Sequence, residues 1–293
     1  MLNGSIVALV TPLTERGEMD FAALDGLVDF HLVNGTDGLV IAGTTGESAT
    51  LSRAEFSEMC GRVVNRVGGN IPVLAGTGSA STASAIEQTI IAGGQGADGA
   101  LVVTPYYNRP TQSGLEAHFI AIAESAEIPL VLYNVPFRTA VDLLPATVER
   151  LSAHPGITGI KEAVPDGARI EELCSRCGPS FTVLSGDDRS CLDAMRQGAN
   201  GVISVAANVA PGLMHELCTA AAQLEWQEAE RINTALNSLY DVLMIETNPI
   251  PVKWALFEMG LISPQIRLPL TRLDEEFREP VRQCLLELGL IKA

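Results

Sequence analysis

The chain has 293 residues, 47% of them hydrophobic and 5% aromatic, and a formal net charge of -16. That is ample for a sizeable core, in one barrel-sized domain or two smaller ones. The acidic balance argues against nucleic-acid binding, which needs Lys and Arg to displace counterions, and against docking on anionic lipid, but leaves a small anionic substrate open.

The first apolar run, Ile6–Val10, ends at Thr11-Pro12 and follows no basic stretch, so it reads as a strand and not a signal peptide. No apolar stretch approaches the roughly 20 residues of a membrane span, and a cytoplasmic protein is expected. Asp20 to Asn34 carries Phe21, Leu24, Leu27, Val28 and His31 at helical spacing. A second strand, Leu39–Ala42, leads into Gly43-Thr44-Thr45-Gly46-Glu47-Ser48. Ser52-Arg-Ala-Glu55 is a capping box opening a helix that ends near Val67. Further strands are expected at Val73–Ala75, Ala100–Val103, Leu130–Tyr133, Ile157–Ile160, Phe181–Leu184 and Val202–Val205.

One phrase recurs: Gly35-Thr-Asp-Gly38, Gly96-Ala-Asp-Gly99 and Gly198-Ala-Asn-Gly201. Each closes a helix-like segment and feeds an apolar run, as a glycine in the left-handed conformation would. The strands are short, apolar and rarely alternating, so both faces are buried. Eight strand-then-helix units over residues 1–224 predict an α/β fold, a (β/α)₈ TIM barrel; a doubly wound sheet is the alternative. From Leu224 the pattern is helical only, at Glu225–Leu243, Pro251–Met259 and Glu275–Leu288. Residues 225–293 are therefore read as a C-terminal helical appendage.

Barrels carry their chemistry at the C-terminal ends of the strands. There lie the Thr44-Thr45 turn, Thr104-Pro-Tyr106-Tyr107-Asn108-Arg109-Pro110, Tyr133-Asn134-Val135-Pro136 with Arg138, Lys161-Glu162, and Ser185-Gly186-Asp187-Asp188. Lys161 is the sharpest of these. The chain has only three lysines, Lys161, Lys253 and Lys292, among 19 basic residues. A lysine at the end of the apolar strand GITGIK is a candidate amine nucleophile, a task guanidinium cannot perform because it stays protonated. A lysine reaching for solvent or paired with Glu162 is the competing reading. Tyr133 ends the adjacent strand and could shuttle protons, or it could be an ordinary buried tyrosine. The Gly-Thr-Thr-Gly turn offers N–H groups and hydroxyls to a carboxylate, or is simply a turn.

Other chemistries find less support. Cys174-Ser-Arg-Cys177 is a lone CxxC among six cysteines, without a second pair or nearby histidines. The four histidines, His31, His118, His154 and His215, are scattered, so no metal site is expected. Asp187-Asp188 reads as a solvated turn or a helix cap sooner than as a cation site.

Taken together, Thr44-Thr45-Gly46-Glu47, Tyr106-Tyr107-Asn108, Tyr133-Asn134-Val135-Pro136, Gly159-Ile160-Lys161-Glu162 and Asn248-Pro-Ile-Pro-Val-Lys253 resemble the dihydrodipicolinate synthase family. That family belongs to the pyruvate-dependent class I aldolase and N-acetylneuraminate lyase superfamily. The resemblance implies an imine between Lys161 and pyruvate, with no other cofactor. It implies a proton relay of Thr44, Tyr133 and Tyr107, the last from a neighbouring subunit. Thr44 and Thr45 would hold the pyruvate carboxylate, and Arg138 the carboxylate of L-aspartate 4-semialdehyde. Main-chain groups of Gly186 and Ile203 would line the pocket, and the assembly would be a homotetramer, a dimer of dimers. The product would be 4-hydroxy-tetrahydrodipicolinate, on the path to lysine and diaminopimelate. An N-acetylneuraminate or 2-keto-3-deoxy-sugar-acid lyase is the nearest alternative, and a keto-acid-binding paralogue without catalysis a more distant one.

The chain departs from the family pattern in two places, the mouth of the site and the matching effector site. Phe137 stands where a small residue is usual, beside Arg138. Ser48, Ala49 and Tyr106 match the site where many members bind lysine as a feedback inhibitor. Arg53, Phe56, Ala80 and Ser84 do not, which predicts weak or absent inhibition by lysine.

Overall fold

The computed structural model describes residues 2–292. Eight strands, β1 (Gly4–Ala8), β2 (Gly38–Ile41), β3 (Val73–Gly76), β4 (Gly99–Val103), β5 (Leu130–Asn134), β6 (Ile157–Glu162), β7 (Thr182–Ser185) and β8 (Gly201–Ser204), form one closed parallel barrel in chain order. The helices α1 (Phe21–Val33), α2 (Arg53–Val67), α3 (Thr82–Gly94) and α4 (Gln112–Ser125) follow the first four strands. After β5 come a single turn, α5 (Pro136–Thr139), and α6 (Pro145–Ser152). The circuit closes through α7 (Gly167–Cys177), α8 (Cys191–Arg196) and α9 (Pro211–Ala222). The last three helices, α10 (Trp226–Val242), α11 (Ile250–Glu258) and α12 (Glu275–Glu287), follow the barrel. Among the described residues no helix is long and apolar enough to cross a membrane.

All eight expected strands are present, and the doubly wound alternative is ruled out by closure between β1 and β8. The expected bounds miss most at β1, which begins at Gly4 because its pairing with β8 starts at Gly4 and Gly201.

The two-residue period of a strand sorts side chains into two compartments. Ile6, Ala8, Val40, Leu74, Leu101, Val131, Leu184 and Ile203 point inward and fill the barrel. Val7, Leu39, Ile41, Val73, Ala100, Val102, Leu130, Leu132, Ile160, Val183 and Val202 point outward and join the helix layer. Both faces are apolar, which is why the strands do not alternate in sequence.

The recurring glycine phrase does two jobs. Gly35, Gly96 and Gly198 take φ of 76°, 87° and 102°, closing the preceding helix. The third residue then clasps the neighbouring strand. Asp37 Oδ2 accepts from Ser5 N at 2.7 Å, Asp98 Oδ2 from Val73 N at 2.8 Å, and Asn200 Oδ1 from Val183 N at 2.9 Å. These bonds satisfy strand N–H groups at the N-terminal rim, which is thereby a structural face.

The capping box at Ser52 and Glu55 forms as expected, and Glu55 also receives the Arg267 guanidinium. The hydrogen bond from Arg267 holds the Glu55 carboxyl down from 4.5 to about 2. A carboxyl depressed in the folded state stabilises above its unfolded value and loses that contribution as pH falls towards its folded value. Glu55→Gln is therefore expected to lower Tm at pH 7 and to converge with wild type between about pH 4.5 and 2. Paired thermal melts across that range check it, and a constant gap would speak against the linkage.

Candidate active site

The loops leaving the C-terminal ends of the strands hold most of the backbone strain. Six described non-glycine residues have positive φ, and five of them, Ala42, Glu47, Tyr107, Arg109 and Ala140, lie in the loops after β2, β4 and β5. Such conformations cost about 1–3 kcal/mol each and gather where a site is being shaped.

Lys161 sits at the end of β6. Ile160 and Glu162 face outward on either side of it, so strand alternation turns Lys161 into the barrel, where it is 5% exposed. β5 and β6 pair with Tyr133 opposite Lys161. Tyr133 also points inward and is buried, and Lys161 Nζ lies 4.5 Å from the centre of its ring. Gly186, just past β7, must be a glycine: a Cβ there would meet Lys161 Cε at 2.9 Å and Ala163 Cβ at 2.8 Å. Ile203 of β8 packs in the same interior cluster. Tyr133 and Gly186 thus lie directly against the Lys161 side chain, in the barrel interior that Ile203 also fills.

Neither competing reading of Lys161 fits this geometry. It does not reach solvent, and Glu162 is committed elsewhere. The Glu162 carboxylate accepts from Arg169 Nε at 2.9 Å, Asn134 Nδ2 at 3.0 Å and Val164 N at 2.9 Å. Arg169 also forks onto Asp142 at 2.9 and 2.7 Å. Burial pushes the Glu162 carboxyl above the ordinary 4.5, while Arg169 and the N–H donors pull against it. Asn134 and Glu162 each follow one of the inward pair, Tyr133 and Lys161. The network therefore clamps β5 to β6 from behind the site.

The turn after β2 is held at successive residues. Asn248 Nδ2 donates to Thr45 Oγ1 at 3.0 Å, and Thr11 Oγ1 to the Gly46 carbonyl at 2.7 Å. Glu47 forms a buried ion pair with Lys253 and accepts from Arg267 N at 2.9 Å. Lys253 also donates to the Thr11 carbonyl at 2.9 Å. Burial draws the Lys253 ammonium below its ordinary 10.5, and the Glu47 carboxylate opposes that shift. Thr45 is buried, whereas Thr44 beside it is partly open. Arg138 on α5 is exposed, and its Nη2 lies 3.4 Å from the Asn248 carbonyl.

Asp187 and Asp188 are half-buried in the turn after β7, and each carboxylate is tied to main-chain N–H groups. Asp187 Oδ2 takes the Ser190 N–H at 2.9 Å and the Ser190 hydroxyl at 2.6 Å at the start of α8. Asp188 Oδ2 takes the Val205 and Ala206 N–H groups at 3.0 and 2.8 Å, tying the end of β8 to the loop after β7. Its Oδ1 is shut off from solvent, and burial raises its carboxyl above 3.8.

A family model described as the dihydrodipicolinate synthetase family matches residues 1–288. The chain belongs to that family. The dihydrodipicolinate synthetase membership extends over its full length: a 4-hydroxy-tetrahydrodipicolinate synthase of Stutzerimonas stutzeri is 54% identical, covering 99% of this chain and all of the relative. An enzyme of the same name from Pseudomonas aeruginosa is 53% identical over the same shares. Among solved structures, the chloride-inhibited dihydrodipicolinate synthase of Acinetobacter baumannii complexed with pyruvate superposes with a TM-score of 0.98. It is 48% identical and covers 99% of this chain and 100% of its own. The chain is thus a lyase of the dihydrodipicolinate synthetase family, on the barrel that its sequence predicts.

Not every expected site residue of this dihydrodipicolinate synthetase chain gathers around the amine. Tyr107, on the loop after β4, has φ of 74° and is 94% exposed. Phe137 is equally exposed and points away from the chain's own core, beside Arg138. Sequence reasoning missed Asn248, Lys253 and Glu47 as supports of the turn. The available signal was the scarcity of lysine, which singles out Lys253 as much as Lys161.

Proposed function

We propose that this chain condenses pyruvate with L-aspartate 4-semialdehyde through an imine on Lys161, giving 4-hydroxy-tetrahydrodipicolinate for lysine and diaminopimelate synthesis. The observation that carries this is the inward-facing, buried Lys161 amine paired in register with Tyr133. Lys161 Nζ attacks the keto carbon of pyruvate. The carbonyl oxygen collects two protons and leaves as water, and loss of a methyl proton gives the enamine. The enamine carbon attacks the aldehyde carbon of the second substrate, whose amine then attacks the imine carbon and releases Lys161. Tyr133, Thr44 and Tyr107 relay the protons, and no other cofactor is needed.

In this reading Thr44 and Thr45 hold the pyruvate carboxylate, while main-chain groups of Gly186 and Ile203 line the pocket. Arg138 takes the carboxylate of the semialdehyde at the mouth. An exposed Tyr107 completes the site of a neighbouring subunit, in a cytoplasmic dimer of dimers. Consumption of L-aspartate 4-semialdehyde with pyruvate, followed through a coupled reductase, tests the reading. Robust turnover supports it. Absent turnover with pyruvate still trapped on the enzyme by borohydride would redirect the second substrate to sugar-acid aldols.

The proposal includes insensitivity to lysine. Arg53 forks onto Glu87, Phe56 is buried in the core, and Ala80 and Ser84 offer no charge to an ammonium or carboxylate. Each charge-assisted bond forgone is worth roughly 1.5–3 kcal/mol. A lysine titration of the initial rate should be nearly flat through the millimolar range, and strong sub-millimolar inhibition would refute this.

A further inference from the structure

We infer that Glu47 is a positioning residue for the Thr44-Thr45 turn, held by Lys253, so that the C-terminal helices complete the keto-acid site. The inference deepens the proposed function, since it rests on reading that turn as the cradle of the pyruvate carboxylate.

Glu47 occupies the left-handed region at φ 56°, which a glutamate adopts only when its surroundings compensate. The compensation comes from the chain's far end. Lys253 is 2% exposed and 206 residues away, yet its ammonium binds Glu47 Oε1, while the Arg267 N–H binds Oε2. The same ammonium donates to the Thr11 carbonyl, and the Thr11 hydroxyl donates to the Gly46 carbonyl. Asn248, two residues before α11, donates to Thr45. Thr45, Gly46 and Glu47 are thus tied in series, two of them directly to the segment between residues 248 and 267.

The choice of groups is informative. A buried ion pair is a weak source of net stability, because desolvation of both charges offsets their attraction. Its use here is geometric. The carboxylate has two oxygens with fixed, separate partners, and the ammonium has a second acceptor on β1's exit loop. Moving Glu47 breaks bonds on both sides. Neutral replacements of similar shape fill the space but do not hold the αL backbone, so the hydroxyls and N–H groups of residues 44 and 45 shift relative to Lys161. The ion pair touches no reacting atom in this account.

The test uses Glu47→Gln, Lys253→Met and the double variant in the full chain. The readout is the pyruvate concentration giving half-maximal borohydride trapping, alongside kcat, the KM for L-aspartate 4-semialdehyde, and Tm. Displacement of a binding group by a fraction of an ångström should raise the half-trapping concentration of Glu47→Gln by about tenfold. The semialdehyde KM should change by less than about twofold on the same grounds. The double variant leaves no unpaired charge, so its Tm should recover towards wild type while its pyruvate requirement stays raised. It carries the test by itself if a single variant fails to fold. Recovery of both Tm and pyruvate affinity in the double variant, or unchanged trapping in all folded variants, would show that the pair is merely structural and overturn the inference alone. A wild-type chain that traps no pyruvate would overturn the cradle reading as well.

Discussion

Lys161→Ala is expected to lose synthase turnover by about 10⁴-fold or more while folding normally, because a covalent route disappears with its nucleophile. Lys161→Arg is the sharper variant. It keeps a positive charge and a long stem at the end of β6, so any role confined to electrostatic attraction would survive in part. An amine nucleophile would not, because guanidinium does not lose its proton at working pH. Both variants should therefore be equally dead in the coupled assay. Partial activity in Lys161→Arg would mean that Lys161 acts as a charge and that the imine forms elsewhere or not at all. Circular dichroism and gel filtration of the same samples separate loss of chemistry from loss of fold.

The largest effect on stability should come from Arg169→Ala. Arg169 is mostly buried, between a fully buried Glu162 and a partly open Asp142. Removing it strands a carboxylate in the helix layer, which costs about 3–5 kcal/mol. For a chain of this size that is roughly 10 °C in Tm. Burial already raises the Glu162 carboxyl, so losing the guanidinium should raise it further and make the variant less stable as pH rises above the ordinary glutamate range. Arg53 gives the contrast. Its pair with Glu87 is largely in solvent, and Arg53→Ala should stay within about 1 kcal/mol of wild type. Thermal melts of the two variants side by side check the ranking; equal losses would contradict the assignment of Arg169 as the clamp between β5 and β6.

The barrel was legible in the sequence because its signals are local. Each strand is a short apolar run, and glycines 35, 96 and 198 mark the turns that feed β2, β4 and β8. Lys161 was legible for a different reason: a rare residue type at the polar end of an apolar strand. What stayed hidden depends on neighbours distant in sequence. Asp37, Asp98 and Asn200 look like turn residues until the adjacent strand supplies the N–H each one caps. Arg169 lies in a helix with Glu171 and Glu172 and has the look of a surface residue, until Asp142 and Glu162 enclose it. Lys253 sits in an apolar helix whose period gives no hint of Glu47. The C-terminal segment reads as an appendage because it holds helices and no strand; that its Asn248, Lys253 and Arg267 bond to the turn after β2 is a long-range fact its local pattern does not carry.

The most direct test of the imine mechanism is reductive trapping of the wild-type chain with pyruvate and borohydride, followed by peptide mapping. One pyruvate-derived adduct per chain is expected, on Lys161, formed in step with the loss of turnover. No adduct, or one confined to Lys253 or Lys292, would contradict the mechanism.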